Sequence, residues 1–252
     1  MFIEDSLSKP DVSLQFYYLD IILKSTVNLN MPLYKNFICI EPTQEMQNIA
    51  RLHAKRRTEA IVRQFIPRNS PLSHIESNYF GALGEIIVRC LFEMNMVLND
   101  NYDDGQTDSG DICIAGRIYD IKTEAVPNKY YRKLFYGEIQ SHEPYGCRVW
   151  TARHEHHLHK YTGGIIFVSF PIPNGAKKDK QKNIIRDRIA EHARQALIVG
   201  YVDQNIFAKM KPDWFSPADP VTGKRRKYNS LNYIFHHSNI YPIAELKRVS
   251  GT

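Results

Sequence analysis

Cysteine is scarce and poorly spaced. The four thiols, Cys39, Cys90, Cys113 and Cys147, form no Cys-x-x-Cys pair, which argues against a zinc knuckle or a disulfide scaffold. Cys90 and Cys113 sit in apolar runs, where a reduced, buried thiol is expected. An intracellular, reducing compartment follows as the expectation: the cytoplasm, or the host cytoplasm for a phage-encoded chain. No run approaches the roughly 18 apolar residues of a membrane span. Met1-Phe2-Ile3-Glu4-Asp5 lacks the basic start of a signal peptide, so no membrane is expected among the partners. Internal repeats, low-complexity tracts and a clear linker are missing too. What the chain does carry is bulk and positive charge. Its 252 residues are 43% hydrophobic, enough for a full core, with a formal charge of +6 that favours a polyanionic partner over an acidic one.

The most informative stretch runs from Asp108 to Glu124. Alternating Ile residues around Gly116 predict two short strands joined by a tight turn. With Ala115 and Gly116 in the turn, Ile114 pairs with Arg117 and Ile112 with Tyr119. Asp111 then falls opposite Asp120, with Lys122 one step along the same face, while Ile112, Ile114, Tyr119 and Ile121 share the other. A turn at Gly116 and Arg117 would instead set Asp111 opposite Lys122, and a three-residue loop would break the match. Two carboxylates roughly 5 Å apart across a ladder repel unless a cation lies between them. Mg²⁺ takes such ligands together with waters and phosphate oxygens. The plain alternative is an exposed hairpin with a weak Asp120–Lys122 surface pair, worth about 0 to 1 kcal/mol.

Asp111 followed by Asp120-Ile121-Lys122 resembles the active-site signature of the PD-(D/E)xK nuclease superfamily, with Gly-Asp standing where Pro-Asp is usual. Gly81-Ala82-Leu83-Gly84-Glu85 on the preceding helix is similar to the Gly-x-x-Gly-Glu run of that superfamily, and Ser70 and Asn78 add a likeness to small phage and bacterial members. The resemblance covers residues 70 to 125. It implies a restriction-endonuclease-like α/β fold, a mixed central sheet flanked by helices. Residues 1–70 would be an N-terminal helical addition, and residues 71–252 the nuclease core with an insertion at about 127–162. It also implies Mg²⁺-dependent hydrolysis of DNA phosphodiesters, with Mn²⁺ as a substitute ion, by a restriction-type endonuclease. Asp111, Asp120 and the Ile121 carbonyl would bind metal, Glu85 would ligate directly or through water, and Lys122 would position the nucleophile. Many relatives cut both strands as homodimers. The alternatives are a non-catalytic DNA-binding protein on the same fold, or a structure-specific repair or recombination nuclease.

The helix from about Asn78 to Met96 carries Phe80, Leu83, Ile86, Ile87, Cys90, Leu91 and Met94 on one broad stripe. Glu85 lies opposite, beside Gly81, Val88 and Phe92, so it too is expected to be buried and to need a partner. Arg89 at i+4 is one alternative to a metal.

An earlier helix is predicted from Pro42-Thr43 to about Phe65, stopped by Pro67, with Ile49, Leu52, Ala60 and Ile61 to bury. Its Arg51, Lys55 and Arg56 are candidate phosphate contacts, beside Arg57, Arg63 and Arg68. The turn Lys224-Arg225-Arg226-Lys227 is a second candidate. Between Pro127 and Thr162 aromatic and basic residues interleave, as they do in nucleic-acid contacts or in the packed underside of a loop. His154, His156, His157 and His159 offer a weaker zinc alternative. Gly164 to Phe170 and Ala196 to Val202 read as buried strands, and Ala176 to Ala196 as an amphipathic helix between them.

Overall fold

A computed structural model describes residues 37–60, 71–98, 110–140, 142–143, 145, 148–150, 158–177, 184–207, 209–235 and 240–251. In chain order its elements are β1 (Ile38–Ile40), α1 (Gln44–Ala60), α2 (His74–Leu91), β2 (Ile112–Ile114), β3 (Arg117–Pro127), α3 (Asn128–Phe135), β4 (Arg148–Trp150), β5 (Gly164–Ile172), α4 (Asp187–Ala190), β6 (Ala196–Val202), α5 (Gln204–Phe207), β7 (Asp213–Phe215), β8 (Lys227–Ile234) and α6 (Ile243–Ser250). The protein is mixed α/β, as expected. A five-stranded sheet runs β1-β6-β5-β3-β2, and a separate three-stranded sheet runs β4-β8-β7. In the larger sheet β3 and β5 are parallel and the other pairs antiparallel.

Both faces of the large sheet are covered, which is why β5 reads as a continuous apolar run. Ile166, Val168, Phe170 and Ile172 point into a core shared with α1 and α2. Ile165 and Phe167 alternate to the other side, where they meet Tyr161, Val202, Phe235 and Ile240. Further along that side, Tyr131 and Leu134 of α3 pack on Val126 and Leu197. The strand continues through Pro171, which pairs with Val126. The ladder to β6 has already ended at Ser169, so the missing proline N–H leaves no gap in it.

Helix α2 starts four residues earlier than predicted, because Ser73 forms a capping box with Glu76. Glu76 is fully buried. Arg186 grips it with Nε to Oε1 at 2.6 Å and Nη2 to Oε2 at 2.7 Å, and the Ser73 N–H donates to Oε2 at 2.8 Å. Burial opposes its charge, but these donors outweigh burial and hold the carboxyl below its ordinary pKa. The helix ends at Leu91 rather than near Met96, and no described helix is long and apolar enough to cross a membrane.

Helix α1 buries Met46, Ala50, His53 and Ala54, not the predicted apolar set. Leu52 and Ala60 are exposed and Ile49 only partly covered, because the face turned inward is the one that Met46, Ala50, His53 and Ala54 share at helical spacing. Ile61, Arg63, Phe65, Pro67 and Arg68 lie outside the described residues. Both β1 and α1, from the segment expected to be an N-terminal addition, join the main core.

Two further expectations are corrected. The helix expected from Ala176 to Ala196 is one turn, Asp187–Ala190, with Ile184 exposed; residues 178–183 lie outside the described set. Cys113 is exposed, since the alternation that buries Ile112 and Ile114 turns it outward. Cys39 and Cys90 are partly buried free thiols, and burial, with Glu41 and Glu45 respectively adding to it, pushes each to a pKa of about 11.

Helix α2 crosses β3 at a point where bulk is forbidden. A Cβ on Gly84 would overlap the Thr123 hydroxyl and approach its Cβ to 3.3 Å. Gly84→Ala should therefore cost about 1–3 kcal/mol in urea unfolding, and Thr123→Ala in the same chain should recover part of the loss. Equal stability of Gly84→Ala and the wild type would mean that this crossing is not tight.

Candidate active site at the open end of the hairpin

The hairpin register is the one that places Ala115 and Gly116 in the turn: Ile114 pairs with Arg117, Cys113 with Ile118 and Ile112 with Tyr119. Both turn residues have positive φ, 48° and 75°, the signature of a type I′ turn. Ile112, Ile114, Tyr119 and Ile121 are buried together. The last expected step differs. The chain bends at Asp111, whose N–H donates to the Tyr119 carbonyl at 2.9 Å instead of continuing the ladder toward Asp120. The Asp111 Oδ2 then accepts the Ile121 N–H at 2.6 Å. Positive φ at Gly110, 87°, accompanies the bend.

Asp120 is 1% exposed and forms an ion pair with Lys122, Nζ to Oδ2 at 2.5 Å. This is not the exposed surface pair that was the plain alternative. Glu85 is buried on α2, as its helical neighbours predicted. Its partner is Arg57 of α1 rather than Arg89: Nη1 donates to Oε1 at 2.6 Å and Nη2 to Oε2 at 2.7 Å. Arg89 instead donates to the Asp111 and Asn95 carbonyls. Near the clamp, Asn78 donates to the Thr58 hydroxyl at 2.9 Å, a second tie between the two helices.

These residues converge electrostatically on Asp111. Burial raises its pKa well above the ordinary carboxylate range, the charges of Glu85 and Asp120 raise it further, and Lys122 and the Ile121 N–H oppose them. When all three are ionised, the carboxylates of α2, the hairpin end and β3 are answered by two ion-paired cations, Arg57 and Lys122, and Asp111 is the one without an ion-pair partner of its own among the described contacts. As they stand, no three His, Cys, Asp or Glu side chains among the described residues are arranged to hold a metal ion.

Family models, curated proteins and solved structures were compared with the chain, and none matches.

The predicted phosphate contacts divide. Lys55 and Arg56 are exposed on α1, whereas Arg51 lies over the Tyr79 ring at 5.4 Å. Lys224, Arg225, Arg226 and Lys227 are exposed at the β7–β8 turn. Arg225 is tied there to Asp213 and to the Ser216 carbonyl. Part of the aromatic run is packing: Tyr131 is buried and donates to the Gln195 carbonyl, and Tyr130 stacks near Tyr145. His154, His156 and His157 lie outside the described residues, and His159 is exposed. Arg57 is the site residue that sequence reasoning missed. The available signal was its position three and seven residues after the buried Ala54 and Ala50, on one helical face.

Two outcomes follow. Arg57→Ala should destabilise the protein by about 3 kcal/mol in chemical denaturation, because Glu85 would be left buried without its clamp. A raised carboxyl pKa means that the folded state holds the Asp111 proton more tightly than the unfolded chain. Its contribution to stability is therefore full below the ordinary value of 3.8 and is lost as pH rises through the folded pKa. In EDTA, Asp111→Asn should melt above the wild type at pH 7, and the gap should close toward pH 4. A gap that widens on acidification would show the carboxylate to be stabilising.

Proposed function

We propose that the protein is a metal-dependent DNA endonuclease on a restriction-endonuclease-like fold. The observation that carries this reading is the shared field of Glu85, Asp111 and Asp120, three carboxylates from separate elements that a short sequence signature had singled out. Their hard oxygen donors and surplus negative charge fit a divalent ion such as Mg²⁺, with Mn²⁺ as a substitute. Asp111 and Asp120 would hold it. Glu85 would act from behind Arg57, whose clamp takes both its oxygens, so its contact with an ion would run through water. When bound, the ion supplies charge stabilisation at the phosphate and makes water a better nucleophile.

The chain's own groups account for the rest. Lys122 sits on the same strand face as Asp120, which holds its ammonium in place. From there it would orient the attacking water and offset charge developing on the phosphate. The Ile121 N–H fixes the Asp111 carboxylate, so the acid does not have to be ordered when substrate arrives. The exposed basic residues Lys55, Arg56, Lys224, Arg225, Arg226 and Lys227 would contact the DNA backbone and set affinity rather than chemistry.

The test is cleavage of plasmid, linear and branched DNA with Mg²⁺ or EDTA. Wild-type protein should cut only with Mg²⁺. Asp120→Asn should lose at least about a hundredfold in rate while binding DNA in EDTA as well as before. Lys122→Ala should cut more slowly by a similar factor yet still gain thermal stability from Mg²⁺, which Asp120→Asn should not. Undiminished cutting by Asp120→Asn would overturn the reading. DNA binding with no cleavage in any metal would favour a non-catalytic binding protein.

A further inference from the structure

The smaller sheet brings together two stretches far apart in the chain. Strand β4 comes from the aromatic and basic segment after α3, and it pairs with β8, which pairs with β7. Between Lys209 and Lys227 the chain has six basic residues, Lys209, Lys211, Lys224, Arg225, Arg226 and Lys227, against two acidic ones, Asp213 and Asp219. That is net +4 in a chain of net +6.

Both acids work inside the hairpin. Asp213 accepts from Arg225 and from the Phe215 N–H. Asp219 accepts the N–H groups of Val221 and Thr222 and lies 3.6 Å from His142. The loop joining the two strands is pinned at buried Ser216, whose N–H donates to the Arg226 carbonyl at 2.8 Å and whose hydroxyl accepts the Arg226 N–H at 2.8 Å. The surface is therefore built before any partner arrives, which lowers the ordering cost of binding.

On edge strand β7 stand two aromatic side chains that the core does not claim. Trp214 is 49% and Phe215 38% exposed, and the Arg225 guanidinium lies over the Phe215 ring at 5.3 Å. Phe215 is thus already covered by a cation, whereas the more exposed Trp214 ring has no such cover among the described contacts, and an open ring within a basic hairpin matches a chain of alternating flat bases and phosphates. A paired duplex hides its base faces in the stack, so only unpaired nucleotides offer them. A lipid surface is the poorer fit, since two half-exposed rings provide little apolar area for insertion.

We infer that the β7–β8 hairpin is a stacking platform for unpaired nucleotides, with Trp214 as the base-stacking residue and Lys224, Arg226 and Lys227 as phosphate contacts. This deepens the nuclease reading and rests on it for the choice of DNA: the enzyme would engage substrates with single-stranded segments, flaps or junctions.

The experiment uses the full chain in EDTA with three probes: a short oligothymidylate, the same strand annealed to oligoadenylate, and phosphatidylserine vesicles. Tryptophan fluorescence should be quenched by oligothymidylate and much less by the annealed duplex. Trp214→Ala should weaken oligothymidylate binding about tenfold. Trp214→Phe should keep most of the affinity but lose the quenching, which separates ring stacking from a general loss of structure. Replacing Lys224, Arg226 and Lys227 by Ala should flatten the log–log salt dependence by up to about 2.

Wild-type affinity in Trp214→Ala, equal affinity for strand and duplex, or quenching by vesicles alone would each overturn the platform. The nuclease reading fails separately: Mg²⁺-dependent cleavage absent while oligothymidylate still quenches Trp214 would sink the enzyme and leave the platform standing.

Discussion

Everything at the candidate site depends on how closely α2 can lie against β3. Position 84 has no side chain, and Thr123 fills the space that one would need. That approach sets Glu85, the next residue, within electrostatic range of a hairpin end that also carries Asp111. A carboxylate so placed is costly to bury unless something answers its charge. Arg57 does so from α1, and this makes the helix pair part of the site rather than a support behind it. The same helices share their core with the large sheet, so the position of Glu85 is fixed by packing before any ligand is present.

Charge in this region is arranged unevenly. Glu85 and Asp120 each have a cation in direct contact, whereas Asp111 relies on one backbone N–H and the more distant pull of Lys122. Folded proteins seldom leave such an imbalance without a use, since perturbed carboxylates concentrate where chemistry or ions are handled. Structural ion-pair networks perturb pKa values as well, so metal-dependent cleavage is the measurement that separates a catalytic cluster from a purely structural one.

Local regularities were legible in the sequence, and contacts across distance were not. The hairpin register and its buried face follow from a period of two that Ile112, Ile114, Tyr119 and Ile121 obey. The burial of Glu85 follows from its helical neighbours. The departure of Asp111 from the ladder was hidden, because it depends on a bend at that residue and a positive φ at Gly110 that no alternation pattern encodes. The Arg57 partner was hidden for another reason: Arg57 sits in a run of basic residues, and only the packing of α1 on α2 separates it from Lys55 and Arg56, which face solvent. The expected helix before β6 failed because Ile184 and Ile189 suggested one stripe where the chain makes a single turn. The second sheet was invisible, since β4 and β8 lie some eighty residues apart and neither strand is strongly patterned.

The Glu76–Arg186 clamp has a consequence for how the chain reaches this state. Its partners are 110 residues apart, and β1 must likewise wait for β6 before the sheet has that edge. During synthesis, helix α2 emerges with a carboxylate that belongs in the interior but has no counterion until the ribosome has released Arg186. Until then its apolar stripe has no finished sheet to cover it, so an N-terminal fragment is exposed to aggregation while the remainder is translated. Closure of the core therefore waits for the second half of the chain, and the hairpin can form before the helix that completes the carboxylate cluster is locked in place.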